Sequence, residues 1–149
     1  IIAGSRDFDD YALLEKTMNK LTLKVDNITV LSGGAKGADT LGEQWALCNM
    51  FPVERYHPDW DKHGKRAGPI RNDEMAKAVG SKGRCVVFFD GSSPGSTNMI
   101  ETARRYGLKL RVVKYKELAK TSDVRFQTAS TQSSALNASS EATEVSCND

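Results

Sequence analysis

Ser32-Gly33-Gly34-Ala35-Lys36-Gly37-Ala38-Asp39 joins an apolar run, Ile28–Leu31, to a segment of helical periodicity, and this join decides the fold. Glycine at 33, 34 and 37 lets the backbone pass close to another group and accept positive φ. The helix that follows offers free N–H groups and the positive end of its dipole, a setting in which a backbone loop cradles phosphate. The competing reading is a tight strand-to-helix turn whose glycines serve packing alone. The segment is not a Walker A loop, because Gly-Lys-Ser/Thr is missing at the helix start, and G-x-G-x-x-G is not matched either.

Outward from this join the chain alternates strands and helices, which implies a parallel sheet covered by helices. Strands are expected at Ile1–Ala3, Ile28–Leu31, Val53–Tyr56, Cys85–Phe89 and Leu110–Val113. Cys85–Phe89 is an unbroken apolar run of the kind buried on both faces. Asp9 or Asp10 caps a first helix with Tyr11, Leu14, Met18 and Leu21 on one face. Asp39 opens a second, carrying Leu41, Trp45 and Cys48. Pro69 suits the first turn of a third, with Met75, Ala76 and Val79, after a long loop from His57 to Gly68. A fourth runs from Thr97 to Tyr106, with Gly107 at its C-terminal end. The fold class expected is α/β, a Rossmann-like three-layer sandwich with a mainly parallel sheet of about five strands.

The chain has 149 residues, enough for one domain that buries its own core. That domain is expected over 1–118. The composition shifts to Thr, Ser, Ala, Asn and Gln from about Thr121, so 119–149 reads as a disordered tail. Arg125 stands there against Asp123, Glu141, Glu144 and Asp149, so the net charge of +2 divides into −3 on 121–149 and +5 elsewhere. That excess suits an anionic small ligand and argues weakly for nucleic acid. No apolar run approaches the roughly 20 residues that span a membrane, so no membrane partner is expected. Cys48, Cys85 and Cys147 form neither a zinc pattern nor a disulfide framework. Cys48 and Cys85 read as core thiols, which with the lack of a signal peptide favours the cytoplasm. The chain opens without Met inside an apolar run, and a few residues are expected to precede it.

In open parallel sheets ligands bind beyond the carboxyl ends of the strands, and the informative segments lie at such ends. Gly4-Ser5-Arg6 places a guanidinium suited to bidentate phosphate contacts; the alternative is a surface ion pair with Asp7, Asp9 or Asp10. Asp90-Gly91-Ser92-Ser93-Pro94-Gly95-Ser96-Thr97 is a second small-residue loop entering a helix. Ser96 and Thr97 there cap the helix or donate to a phosphate or ribose, and Asp90 accepts from a ribose hydroxyl. Within 57–68, Trp60 is a candidate for stacking on a base, and Lys62, Lys65 and Arg66 for phosphate contacts or mere solvation. His57, Asp59, Asp61 and His63 match no standard ligand spacing, and no metal is expected. Ser5, Ser32 and Ser96 have no evident partner His, and no nucleophile elbow is present.

Four segments together resemble the YspA-like, cpYpsA-related branch of the SLOG superfamily. They are Gly4-Ser5-Arg6; Ser32-Gly33-Gly34-Ala35-x-Gly37-Ala38-Asp39; Trp60 with Gly64-Lys65-x-Ala67-Gly68-Pro69-x-Arg71-Asn72-x-x-Met75; and Asp90-Gly91-Ser92-x-x-Gly95-Ser96 with Ile100 and Ala103. The resemblance covers about residues 1–115. The superfamily also holds the lonely-guy phosphoribohydrolases and the DNA-processing protein A. It implies a Rossmann-like fold, a nucleotide-derived or ADP-ribose-like ligand, a bacterial or phage source and a homo-oligomer, dimer or higher. Arg71-Asn72-x-x-Met75 resembles the Arg-Lys-x-x-Met of the lonely-guy enzymes, which implies a catalytic or phosphate-binding role for Arg71. Their second loop carries two glutamates where this chain has Asn98 and Met99, and Glu101 is offset by about one turn.

The favoured function is therefore binding of a phosphate-bearing nucleotide ligand by a sensor or sequestering protein, with no cofactor. The ligand set is Gly4, Ser5, Arg6, Ser32, Gly33, Gly34, Ala35, Gly37, Asp39, Arg71, Asn72, Asp90, Gly91, Gly95, Ser96 and Thr97. The alternatives are an N-glycosidic phosphoribohydrolase, with Arg71 positioning phosphate and Glu101 or Asp90 as acid/base, and a nucleic-acid-associated domain.

Overall fold

Alternation of side chains along the central strands sets the layers. The computed structural model describes residues 1–116; the expected tail, 119–149, lies outside them. Strand β1 is Ile2–Gly4 and β4 is Arg84–Phe89, paired in parallel with Ile2 opposite Val86 and Gly4 opposite Phe88. Ile2, Val86 and Phe88 face one side, and Ala3, Cys85 and Val87 the other. On the first side lie helices α1 (Tyr11–Leu21) and α2 (Ala38–Cys48), which contribute Leu14, Met18, Trp45 and Ala46. On the second lie α4 (Ala67–Val79) and α5 (Pro94–Arg105), which contribute Met75, Ala76, Met99, Ile100 and Ala103. With helices on both faces, every residue of Cys85–Phe88 is buried, which is why that run is apolar without alternation.

Strand β5 (Lys109–Lys114) pairs in parallel with β4, and β2 (Val30–Ser32) with β3 (Val53–Arg55). The expected single sheet of about five strands is not formed: the strands stand in two parallel ladders, β1-β4-β5 and β2-β3. β1 and β2 lie side by side across the seam without sharing a ladder. The architecture is an α/β Rossmann-like sandwich. Among the described residues no helix is long and apolar enough to cross a membrane.

Three local features differ from the sequence expectation. Residues 57–68 are not an open loop: Asp59 accepts from the Lys62 amide and caps a short helix α3, Trp60–His63, followed by a 3-10 turn, Gly64–Arg66. Helix α5 starts at Pro94, not Thr97, because Ser93 caps it and a proline's fixed φ suits the first turn. Cys85 is a buried free thiol, whereas Cys48 is only partly buried and is not free.

Helix α2 sits directly on β1. A Cβ on Gly42 would come within 2.6 Å of the Ile2 side chain. Helix propensity alone favours Ala over Gly by about 1 kcal/mol; the close approach reverses the sign. Gly42→Ala should lower stability by about 1–3 kcal/mol, read as a fall in the denaturant midpoint at unchanged slope. A gain in stability would show that α2 does not pack this closely.

Candidate functional site

The ends of β1 and β4 and the starts of α2, α4 and α5 surround a cleft of about 690 Å³, within the range of small-molecule sites. It gathers Gly4, Ser5 and Arg6 from the first loop, Ala35 and Asp39 from the second, and Arg71 and Asn72 from α4. Asp90, Gly95 and Ser96 complete it from the last loop, with Trp60 at the rim. Ser32, Gly33, Gly34, Gly37, Gly91, Thr97 and Glu101 are not on its lining.

The β2–α2 loop folds around its own carboxylate. Asp39, in the first turn of α2, is 5% exposed. Its Oδ2 accepts from the Ala35 amide at 3.2 Å, and the Gly33 backbone also favours its charged form. The Gly34 amide donates to Ser32 Oγ at 3.0 Å, and the Ala38 amide to the Ser5 carbonyl at 3.3 Å. The amides of Gly34, Ala35 and Ala38 are thus taken up within the chain. Gly37, at φ 81°, presses on the Ser5 and Arg6 backbone, where a Cβ would collide.

Beneath the loop, the Ser32 hydroxyl donates to Glu43 Oε2 at 2.6 Å, and Arg55 Nε and Nη2 donate to Glu43 Oε1 at 3.1 and 2.8 Å. The sequence reading missed Glu43 and Arg55. The available signal was the spacing of Asp39 and Glu43, one helical turn apart on one face; the partner strand that brings Arg55 carried none.

Arg71 ties this loop to the opposite wall. Its Nη1 donates to the Gly33 carbonyl at 2.6 Å and its Nε to Asn72 Oδ1 at 2.9 Å. Asn72 Nδ2 then donates to Asn98 Oδ1 at 2.8 Å, which reaches α5. A Cβ on Gly33 would collide with the Arg71 guanidinium, so a side chain there would push Arg71 off the Gly33 carbonyl. Burial pushes the Asp39 carboxyl up to about 6, opposed by the Ala35 amide and by Arg71. Burial also lowers Arg71, which Asp39 offsets and the nearby Arg6 charge reinforces. Arg6 is exposed and makes no ion pair among the described residues, while Asp7 bonds Tyr115 and Lys116 instead.

The α5 wall is different. Asp90 Oδ1 accepts from the Ser92 and Ser93 amides at 2.9 and 2.8 Å, and these bonds hold its carboxyl below the usual range. Ser5 Oγ accepts from the Asp90 amide at 3.1 Å. Thr97 is exposed, its hydroxyl donating to the Ser93 carbonyl at 2.9 Å. Ser96 is 3% exposed, and its Oγ is buried without any hydrogen-bond partner. A buried hydroxyl left so costs about 1–3 kcal/mol. Trp60 is 51% exposed, its ring edge beside Gly68. Glu101 is exposed on α5, outside the cleft. Among the described residues no group of three or more His, Cys, Asp and Glu side chains is placed to hold a metal ion.

Residues 1–63 match the YspA, cpYpsA-related SLOG family. The chain is 32% identical over 115 residues to the Gene 61 protein of Mycobacterium phage D29, an alignment covering 72% of this chain and 90% of that protein. No solved structure matches it.

The raised Asp39 carboxyl makes stability depend on pH. The folded value, about 6, lies above the ordinary 3.8. Asp39 therefore contributes stability fully below about pH 4, and that contribution is lost as pH rises through 6. Asp39→Asn should remove this dependence. The stability difference, variant minus wild type, should climb by the order of 2 kcal/mol between pH 4 and 7, as measured by denaturant titration at each pH. A flat difference would place Asp39 in water.

Proposed function

We propose that this chain, which belongs to the YspA, cpYpsA-related SLOG family, binds a nucleotide or an ADP-ribose-like derivative in the cleft at the carboxyl edge of its sheet. It acts as a sensor or sequestering protein. Cytoplasmic location and a homo-oligomer belong to the same reading. The observation that carries it is the Ser96 hydroxyl, buried and unpartnered on the wall of a cleft that also holds Arg6 and Arg71. A ligand oxygen supplies the missing partner, and the two guanidiniums attract an anion. Trp60, half-exposed at the rim, offers a face for a base.

A second reading, N-glycosidic hydrolysis of a nucleotide, has one observation in its favour. Asp39 is a cleft carboxyl that titrates near 6 beside Arg71, as a general acid at neutral pH would. The acids first considered do not support it: Glu101 is outside the cleft, and Asp90 is held ionised by backbone amides. Release of free base from nucleoside monophosphates, followed by chromatography and lost in Arg71→Ala, would decide for it.

Ser96→Ala separates binding from packing. Removing an unpartnered buried hydroxyl should raise the stability of the free protein by about 1 kcal/mol. The same change should weaken a phosphate-bearing ligand by roughly tenfold or more. Calorimetry across nucleoside mono- and diphosphates and ADP-ribose, guided by mass spectrometry of co-purified molecules, makes the measurement. Absence of binding across the whole panel sinks the reading.

A further inference from the structure

The two walls of the cleft have opposite hydrogen-bonding character. On the α5 wall a hydroxyl is buried with no partner and Arg6 stands nearby without an ion pair among the described residues. On the β2–α2 wall the amides of Gly34 and Ala35 are already bonded to Ser32 and Asp39. Ala35 and Asp39 line the cleft from that wall, and Asp39 is the acidic residue of the pair.

A carboxylate accepts and does not donate, and its two oxygens offer about four lone-pair sites. The Ala35 amide, which bonds Oδ2 of Asp39, leaves part of that capacity unused. Fully ionised phosphate oxygens do not fill it, because they carry no hydrogen and are repelled by the ionised Asp39. Sugar hydroxyls can, because they donate. Asp90 lies on the α5 side, opposite the wall that carries Asp39.

We propose that Asp39 is the acceptor for the ribose hydroxyls of the ligand, with the phosphate at the α5 wall, so that the site selects ribosyl over deoxyribosyl phosphates. This rests on the nucleotide-binding reading above. It fixes the direction in which the ligand lies across the seam between the two sheets. It also reassigns the glycine-rich β2–α2 loop from phosphate cradle to sugar-recognition wall.

The test uses the full chain and four probes: AMP, its 2′,3′-dideoxy form, ribose 5-phosphate and 2-deoxyribose 5-phosphate. Titrations followed by calorimetry or NMR should show each hydroxyl-depleted probe binding at least tenfold more weakly. Asp39→Asn, which keeps the shape and loses the charge, should shrink that ratio, and Asp90→Asn should leave it in place. Equal affinity for the ribo and depleted forms in the wild-type chain overturns the proposal while the nucleotide reading stands. So does a ratio that survives Asp39→Asn. If neither AMP nor its dideoxy form binds and the base-free sugars do not either, the nucleotide reading falls, and this proposal with it. Should Asp39→Asn fail to fold, the wild-type ratios alone decide.

Discussion

Burying one carboxylate organises the site. Asp39 sits almost out of reach of solvent at the start of α2, and a charge there needs donors around it. The donors come from its own loop, through Gly33 and Ala35, and from the field of Arg71 on α4. Arg71 in turn grips the Gly33 carbonyl and hands its Nε to Asn72, which reaches Asn98 on α5. From the other side, Ser32 and Glu43 anchor the same loop to Arg55 on β3. Three helices and the β2-β3 ladder are thereby held in one arrangement around the cleft.

The strand and helix order was legible in the sequence because each element carries its own period. Tyr11, Leu14, Met18 and Leu21 mark a helix, and Cys85–Phe89 marks a doubly covered strand, without reference to anything distant. What was not legible depends on partners brought from elsewhere. The glycines of 33, 34 and 37 announced a tight turn, and nothing in their spacing told whether the amides would face a ligand or a neighbouring carboxylate. Only the position of Asp39 in the folded loop answers that. Glu43 looked like an ordinary helical residue because Arg55 lies on a different strand. The stretch from His57 to Gly68 looked like loop because its helical segment has four residues, too few to show a period. The seam between β1 and β2 left no trace at all in residue types.

The expected ligand residues divide by physical role once placed. Gly33 and Gly37 give up side-chain volume so that Arg71 and the β1 loop can approach. Ser32 transmits the Glu43 contact, and Thr97 tightens the first turn of α5. Ser5, Arg6, Asp39, Arg71, Asn72, Asp90 and Ser96 are the polar residues among them that line the cleft. A motif match groups these residues together; geometry separates those that shape the cleft from those that face it.

The seam has a consequence for motion. Two ladders that meet without sharing hydrogen bonds form two units that can open separately, each with its own free energy of local unfolding. The cleft spans that line, with Asp39 on the β2 side and Ser96 on the β4 side. A molecule touching both acts as a cross-brace. It would slow amide exchange in β2 and β3 far more than in the centre of β4, which is already protected on both faces. The message of an occupied site would then be carried by how rarely one half of the sheet swings away from the other.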